Sequence, residues 1–376
     1  MNRQEINEIR KLFTKQNSRI SRICGCYVTA EKEKRSELKE AFGSLPEEEM
    51  YKYLEIFKKV LSGPIGRSQI NMEFPFDPDT GAAPEGESVL LALRDSQLKD
   101  EELLEAFYDR IIANYQHPEN FLILLIHGAY DIPRKGTDGF EMADASDYVY
   151  HFVLCALCPV SLAKPALCYD GDKNTITSRI RDWVVGMPEI GFLYPAFNDR
   201  QPDVNALLYY TKDTENLHGE LPDAFGLAIP DTAGAQKANF DELVQATLGD
   251  EASLEHIKGL HDALQEMAEE RSEAPDPVTF TKEDLRTALE KTGLPEENLT
   301  RFSADFDKAM GDLQEIPAVN VLNSRQFSVK MPDVTIKVNP DRTDLVETRV
   351  IDGVPCLVIV ISDEVEVNGI TLRKWE

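Results

Sequence analysis

Four cysteines, Cys24 and Cys26 in "ICGCY" and Cys155 and Cys158 in "LCALCP", are the residues whose type and spacing most directly suggest chemistry. Two thiol pairs make a tetrahedral zinc site when all four sulfurs converge about 2.3 Å from the ion. A C-x-x-C pair also serves thiol–disulfide exchange. The local pattern favours burial instead. Cys155 and Cys158 lie in an apolar, β-like run with no glycine between them, and in a strand residues i and i+3 point to opposite faces. Alternation puts Tyr148, Tyr150, Phe152, Leu154 and Cys158 on one face and Val149, His151, Val153 and Cys155 on the other. Cys24 and Cys26, two apart, share a face, and Gly25 between them can host a bulge. Unpaired cysteine is among the most buried residue types. All four are therefore expected as core thiols, with no metal and no cofactor, and Cys168 and Cys356 as ordinary strand residues.

His127 ends the apolar run "FLILLIHG", with Asp131 four residues on. A His/Asp pair at a strand end can serve acid–base chemistry. The following stretch, 131–147, holds Asp131, Asp138, Glu141, Asp144 and Asp147, which could ligate a divalent cation. Their spacing fits no calcium loop, and Asp138-Gly139 is an ordinary turn signal, so a solvated loop and a structural histidine are the expectation. No G-x-S-x-G elbow, G-x-G-x-x-G or P-loop lysine motif occurs.

The elements that must position these residues follow from periodicity. Ile6, Ile9, Leu12 and Phe13 predict a helix over 3–15. Met50, Tyr53, Leu54, Phe57 and Leu61 predict another after "SLP", where Ser44 and Glu47 form a capping-box pattern. A helix over 99–115 carries Leu103, Phe107, Ile111 and Ile112. "ISRICGCYVTA", 120–130, 147–160, 191–198 and 204–212 read as strands. Short connections such as "DRQPD" make sequential neighbours antiparallel. The fold class is thus α+β: an antiparallel sheet over 1–240 with helices segregated to one side. Then comes an acidic helical hairpin region over 241–315, with Thr281 and Asp284 as a capping pair and Gly293 as a C-cap. A small C-terminal β domain, 316–376, turns at Asp352-Gly353 and Asn368-Gly369.

Charge narrows the function. The 376 residues carry 40 Lys+Arg against 67 Asp+Glu, a net of −27, and 17 Phe with 12 Tyr mark a chain that builds a core. Residues 1–40 hold ten basic and six acidic residues (+4), and 241–315 hold 20 acidic and seven basic (−13). Such acidity opposes phosphate backbones unless a basic face is segregated. Arg3, Arg10, Lys11, Lys15, Arg19 and Arg22 are the candidates for such a face. No apolar run approaches the ~20 residues of a membrane span, and the first residues lack a secretory pattern. A cytoplasmic, soluble protein with reduced thiols is expected.

The stretches "RICGCYV", "LPEEEM", "NMEFP", "IRDWVV", "YPAFNDR" and "NPDRTDLVETRVIDG" together resemble an uncharacterised bacterial family, domain of unknown function 4317, typical of anaerobic Gram-positive bacteria. The resemblance spans nearly the whole chain and implies no activity, cofactor or catalytic residue. In layout alone, "GFLYPAFNDRQPDVNALLYY" and "VTIKVNP…VIDG…LVIVI" are similar to nucleoid-associated proteins. The expected function is a non-enzymatic interaction or regulatory protein with a protein partner. The alternatives are a nucleoid-associated role, or an enzyme with a non-standard site around His127 and the 131–147 loop.

Overall fold

A computed structural model describes residues 1–14, 18–75, 84–135, 141–310, 315–323, 326–361, 364–367 and 369–371, with side chains at 134–135 and 141–147 left out. The chain divides into two units, Met1–Thr232 and Ala233–Glu376.

In the first unit, the apolar runs "FLILLI" and "HFVLCALCPV" form the two long central strands, β4 (Asn120–Lys135) and β5 (Glu141–Leu162). Both are apolar on two faces because both faces are covered. Around them stand β1 (Ile20–Val28), β2 (Lys34–Ala41), β3 (Gln69–Glu73), β9 (Ile190–Tyr194) and β12 (Ala206–Thr211). Their order is β2-β1-β4-β5-β9-β12-β3, with antiparallel pairing throughout. Three elements lie off the main path. They are the hairpin of β6 (Leu167–Asp170) with β7 (Thr175–Ser178), β8 (Trp183–Val185) paired to the end of β5, and the hairpin of β10 (Ala196–Asn198) with β11 (Gln201–Asp203). The predicted strand 191–198 is therefore two strands.

The α+β class with an antiparallel sheet stands, but the helices do not keep to one side. On one face, Ile6 and Ile9 of α1 (Arg3–Arg10) and Leu54, Phe57 and Val60 of α2 (Glu47–Val60) pack with Ile23, Leu124, Ile126, Leu154 and Cys158. On the other, Leu90 and Leu93 of α3 (Glu85–Asp95) and Leu104, Phe107 and Ile111 of α4 (Glu101–Asn114) pack with Cys24, Cys26, Leu125, Val153 and Cys155. A sheet apolar on both faces needs two covers, and each fully buried Leu, Ile or Phe contributes about 1.5–3 kcal/mol.

α1 stops at Arg10, five residues short of the expected end, and Leu12 and Phe13 are buried beyond it. The Ser44–Glu47 capping box is absent: Ser44 Oγ donates to Ala41 O at 2.7 Å, and Pro46 stands at the N-cap of α2. Asp100 caps α4 by accepting from the amides of Glu102 and Leu103. Gly25 carries no bulge. Its neighbours pair in continuous register, Cys24 with Leu125 and Cys26 with Ile123.

α5 (Glu220–Ala224) closes the first unit. In the second, α6 (Ala233–Leu248), α7 (Leu254–Arg271), α8 (Lys282–Glu290) and α9 (Glu296–Met310) share a core with Phe280, Leu285, Phe302 and Phe306. The Thr281–Asp284 capping box forms, and the Arg271 guanidinium at 2.6 Å holds the Asp284 carboxyl down at about 2. The C-terminal strands form two-stranded pairs, Phe327–Lys330 with Thr335–Val338 and Val346–Ile351 with Val354–Ile359. Asp352 (φ 50) and Gly353 (φ 81) make the turn of the second with both φ positive, the geometry an Asp-Gly pair favours.

Candidate functional site

The cysteines fall where alternation placed them. Cys24, Cys26 and Cys155 join the core under α3 and α4, and Cys158 joins the opposite one. Cys24 pairs with Leu125, which pairs with Cys155, so two strand spacings, about 10 Å of backbone, separate those thiols. All four are buried. Burial drives every thiol pKa upward, Cys26 to about 11 and Cys158 to about 12. Such thiols are poor nucleophiles and poor ligands. Among the described residues no cluster of three or more His, Cys, Asp or Glu is placed to hold a metal ion.

His127 is not at a strand end but in the middle of β4, 1% exposed. It does not meet Asp131, which is exposed and stands opposite Val149. Asp138 lies outside the described residues, as do the side chains of Glu141, Asp144 and Asp147. The partners of His127 come from the neighbouring strands. β1 and β4 slip register between Ile20, opposite Gly128, and Arg22, opposite His127. Ser21 is the extra residue, and a bulge of this kind re-aims its side chain. The Ser21 hydroxyl lies 2.6 Å from His127 Nδ1 and 3.2 Å from the His127 carbonyl oxygen. On the other side, His127 Nε2 lies 3.4 Å from Nδ1 of His151 on β5, with the rings stacked at 5.5 Å and 22°. Burial, reinforced by His151, Lys99 and Arg94, pushes the His127 pKa down to about 4, so the ring is neutral near pH 7.

One tautomer satisfies this row throughout. Ser21 Oγ–H donates to Nδ1, and Nε2–H of His127 donates to Nδ1 of His151. In the reversed tautomer, Nδ1–H donates to Ser21 Oγ, whose proton turns to the His127 carbonyl. Ser21 is exposed and His151 half-buried, so both ends of the row reach solvent while its middle is dry.

A second constellation lines an open pocket of about 640 Å³ at the other end of the strands. Glu189 Oε2 lies 3.4 Å from His117 Nε2 and accepts from the Tyr115 hydroxyl at 3.5 Å, and Oε1 lies 3.7 Å from Lys212 Nζ. Tyr115 stacks on His117 at 5.5 Å and meets His218 at the same centroid distance. The Nδ1 of His117 faces both the Glu119 amide (3.2 Å) and the Glu119 carbonyl (2.9 Å), so either protonation state finds a backbone partner. Both nitrogens of His117 are thus committed, and the cluster braces the pocket wall. His218, at φ 47, has its pKa lowered, chiefly by burial.

The basic residues of the N-terminal arm do not form one face. Arg10, Lys11 and Arg19 line an open groove of about 1120 Å³ with Lys58 and Glu8, whereas Arg22 lies beside Cys24 on the opposite side of the sheet. Lys15 lies outside the described residues.

The most exposed apolar surface of the first unit is the excursion between β5 and β9. Leu167 (76%), Tyr169 (63%), Ile176 (61%), Ile180 (83%) and Trp183 (57%) stand open to solvent, with Met187 beside its root. Apolar exposure on this scale marks interaction sites. Sequence reading named His127 and the cysteines but not Ser21, His151, Glu189, the pocket histidines or this excursion. The density of Ile, Val and Trp in "RIRDWVV" is a sequence signal for it.

One family model, described as a domain of unknown function (DUF4317), matches residues 1–370. No curated protein and no solved structure matches the chain.

Proposed function

The chain belongs to the DUF4317 family, whose description assigns no activity, and we propose from its own surface that it is an interaction protein that docks another protein through residues 163–187. One observation carries this: five large apolar side chains between Leu167 and Trp183 are each more than half exposed, on a hairpin, a short strand rooted in the central strand β5, and the link between them. Burying such side chains on a partner gains about 25 cal/mol per Å² of apolar surface, and Trp and Tyr are the usual anchors of interface energy.

Charge argues for the kind of partner. Residues 163–187 carry Lys164, Lys173, Arg179 and Arg181 against Asp170, Asp172 and Asp182, a local +1 in a chain of −27. Two copies at −27 repel each other. The occupant is therefore a different protein, with an apolar surface rimmed by carboxylates. No helix among the described residues is long and apolar enough to cross a membrane.

A photo-crosslinking residue at position 180, introduced in the native host, tests this. The captured protein is purified and its affinity measured. Ile180→Asp with Trp183→Asp should weaken binding at least ~10-fold, while Tyr51→Asp, an exposed aromatic on α2, should not. Crosslinks only between copies of this chain, or equal affinity in the double variant, would overturn the proposal.

A further inference from the structure

We propose that Ser21 is a catalytic nucleophile toward small carboxylic esters, served by a proton relay through the two imidazoles of His127 and His151. The proposal goes beyond the docking role and does not depend on it. Two geometric observations carry it. The β1 bulge turns Ser21, an exposed residue, so that its hydroxyl sits 2.6 Å from a ring nitrogen of His127. The second nitrogen of that ring faces His151 Nδ1 at 3.4 Å. Beside Ser21, Arg22 stands in register with His127 and has a buried Nε with no hydrogen-bond partner. The Arg22 side chain itself turns to Cys24, so the proposal rests on the pairing of a hydroxyl nucleophile with its base.

The second imidazole gives the charge a place to rest. A buried ring that resists charge is a weak base, and a serine beside His127 alone would be poorly activated. The relay removes the need for His127 to hold the charge. As Ser21 Oγ bonds to the ester carbonyl carbon, its proton passes to His127 Nδ1, and the proton on His127 Nε2 passes to His151 Nδ1. The positive charge ends on His151, the half-buried ring, and the negative charge on the former carbonyl oxygen. The carbon–oxygen bond to the alcohol then breaks. The departing oxygen takes the proton from His127 Nδ1 as His151 returns its own, leaving Ser21 acylated. Water attacks the acyl carbon by the same route, releases the carboxylic acid and restores the Ser21 hydroxyl. Ester and water are consumed, and acid and alcohol are formed. Ser21 is exposed, so a small ester reaches it from solvent.

The experiment uses the full chain with a fluorophosphonate probe and 4-nitrophenyl acetate. The expected results are a phosphonyl adduct mapped to Ser21 by peptide mass spectrometry and a burst of nitrophenol followed by slower turnover. Both should be lost in Ser21→Ala. His151→Gln, a half-buried position that leaves the core intact, should slow labelling by about 100-fold, the scale of acid–base assistance, and shift the pH at which labelling is half-maximal. His127→Gln should slow labelling at least as much, in protein whose tyrosine circular dichroism matches the wild type. No adduct on Ser21 would overturn the proposal, as would hydrolysis that persists in Ser21→Ala. Labelling rates unchanged in His151→Gln would make Ser21 an ordinary surface hydroxyl and sink the relay.

Discussion

His127 gives the first unit a stability that depends on pH in a window set by one buried ring. The folded protein holds its pKa at about 4, against an ordinary value of 6.5. Between those values the unfolded chain binds a proton that the native state refuses. Stability from this group is therefore fully present above pH 6.5 and is lost as pH falls toward 4. A difference of about 2.5 pKa units at 1.36 kcal/mol each gives roughly 3 kcal/mol. The ring is 1% exposed, so solvent screening does not reduce this greatly. The perturbation is His127→Gln, which keeps a polar side chain beside Ser21 but cannot titrate. All 12 tyrosines of the chain precede Lys212, so their near-ultraviolet circular dichroism follows the first unit alone. Urea titrations at pH 7 and pH 4 give unfolding free energies for both proteins, and carboxylate contributions cancel in the difference. The wild type should lose about 3 kcal/mol more than His127→Gln over that interval. Parallel losses would show instead that His127 titrates alike in the folded and unfolded chains.

Further expectations concern the thiols and the net charge. Cys155→Ser, between Leu125 and Phe192 in register, should lower unfolding free energy by about 1–3 kcal/mol through a buried hydroxyl without a partner; urea denaturation measures this. In a native thiol titration at pH 8, the half-buried Cys168 and Cys356 should react quickly and the four buried thiols only on unfolding, since a thiol with a pKa of about 12 is thiolate only about once in 10⁴ molecules. A gel-shift assay with duplex DNA at physiological salt should show no sub-micromolar binding, because −27 opposes it. Tight binding that weakens steeply with added salt would revive the nucleoid-associated reading.

What the sequence disclosed depended on whether the cause was local. β4 and β5 were legible because their apolar runs leave no other fate, and period-two alternation sorted Cys155 from Cys158 before any coordinates. β2, "KRSELKEA", was not legible: it is a charged, largely exposed edge strand held by pairing to β1, and its charges protect that edge. α3 was missed because "SVLLAL" is a continuous apolar run without clear helical periodicity. Helices on the second face follow from the two-sided apolarity of β4 and β5. The Ser21 bulge arises from how β1 and β4 register across about 100 residues, and no local pattern records it. Tyr115, Glu189 and His218 meet only through the sheet order, so their spacing in the chain is uninformative.

Residues 163–187 are proposed as a docking surface, and hydrogen–deuterium exchange of the chain with and without the partner captured at position 180 tests this. Slowed exchange of the β6, β7 and β8 amides is expected in the complex, with α6 to α9 unchanged. Protection confined to other elements, with 163–187 exchanging as fast as in the free protein, would contradict it.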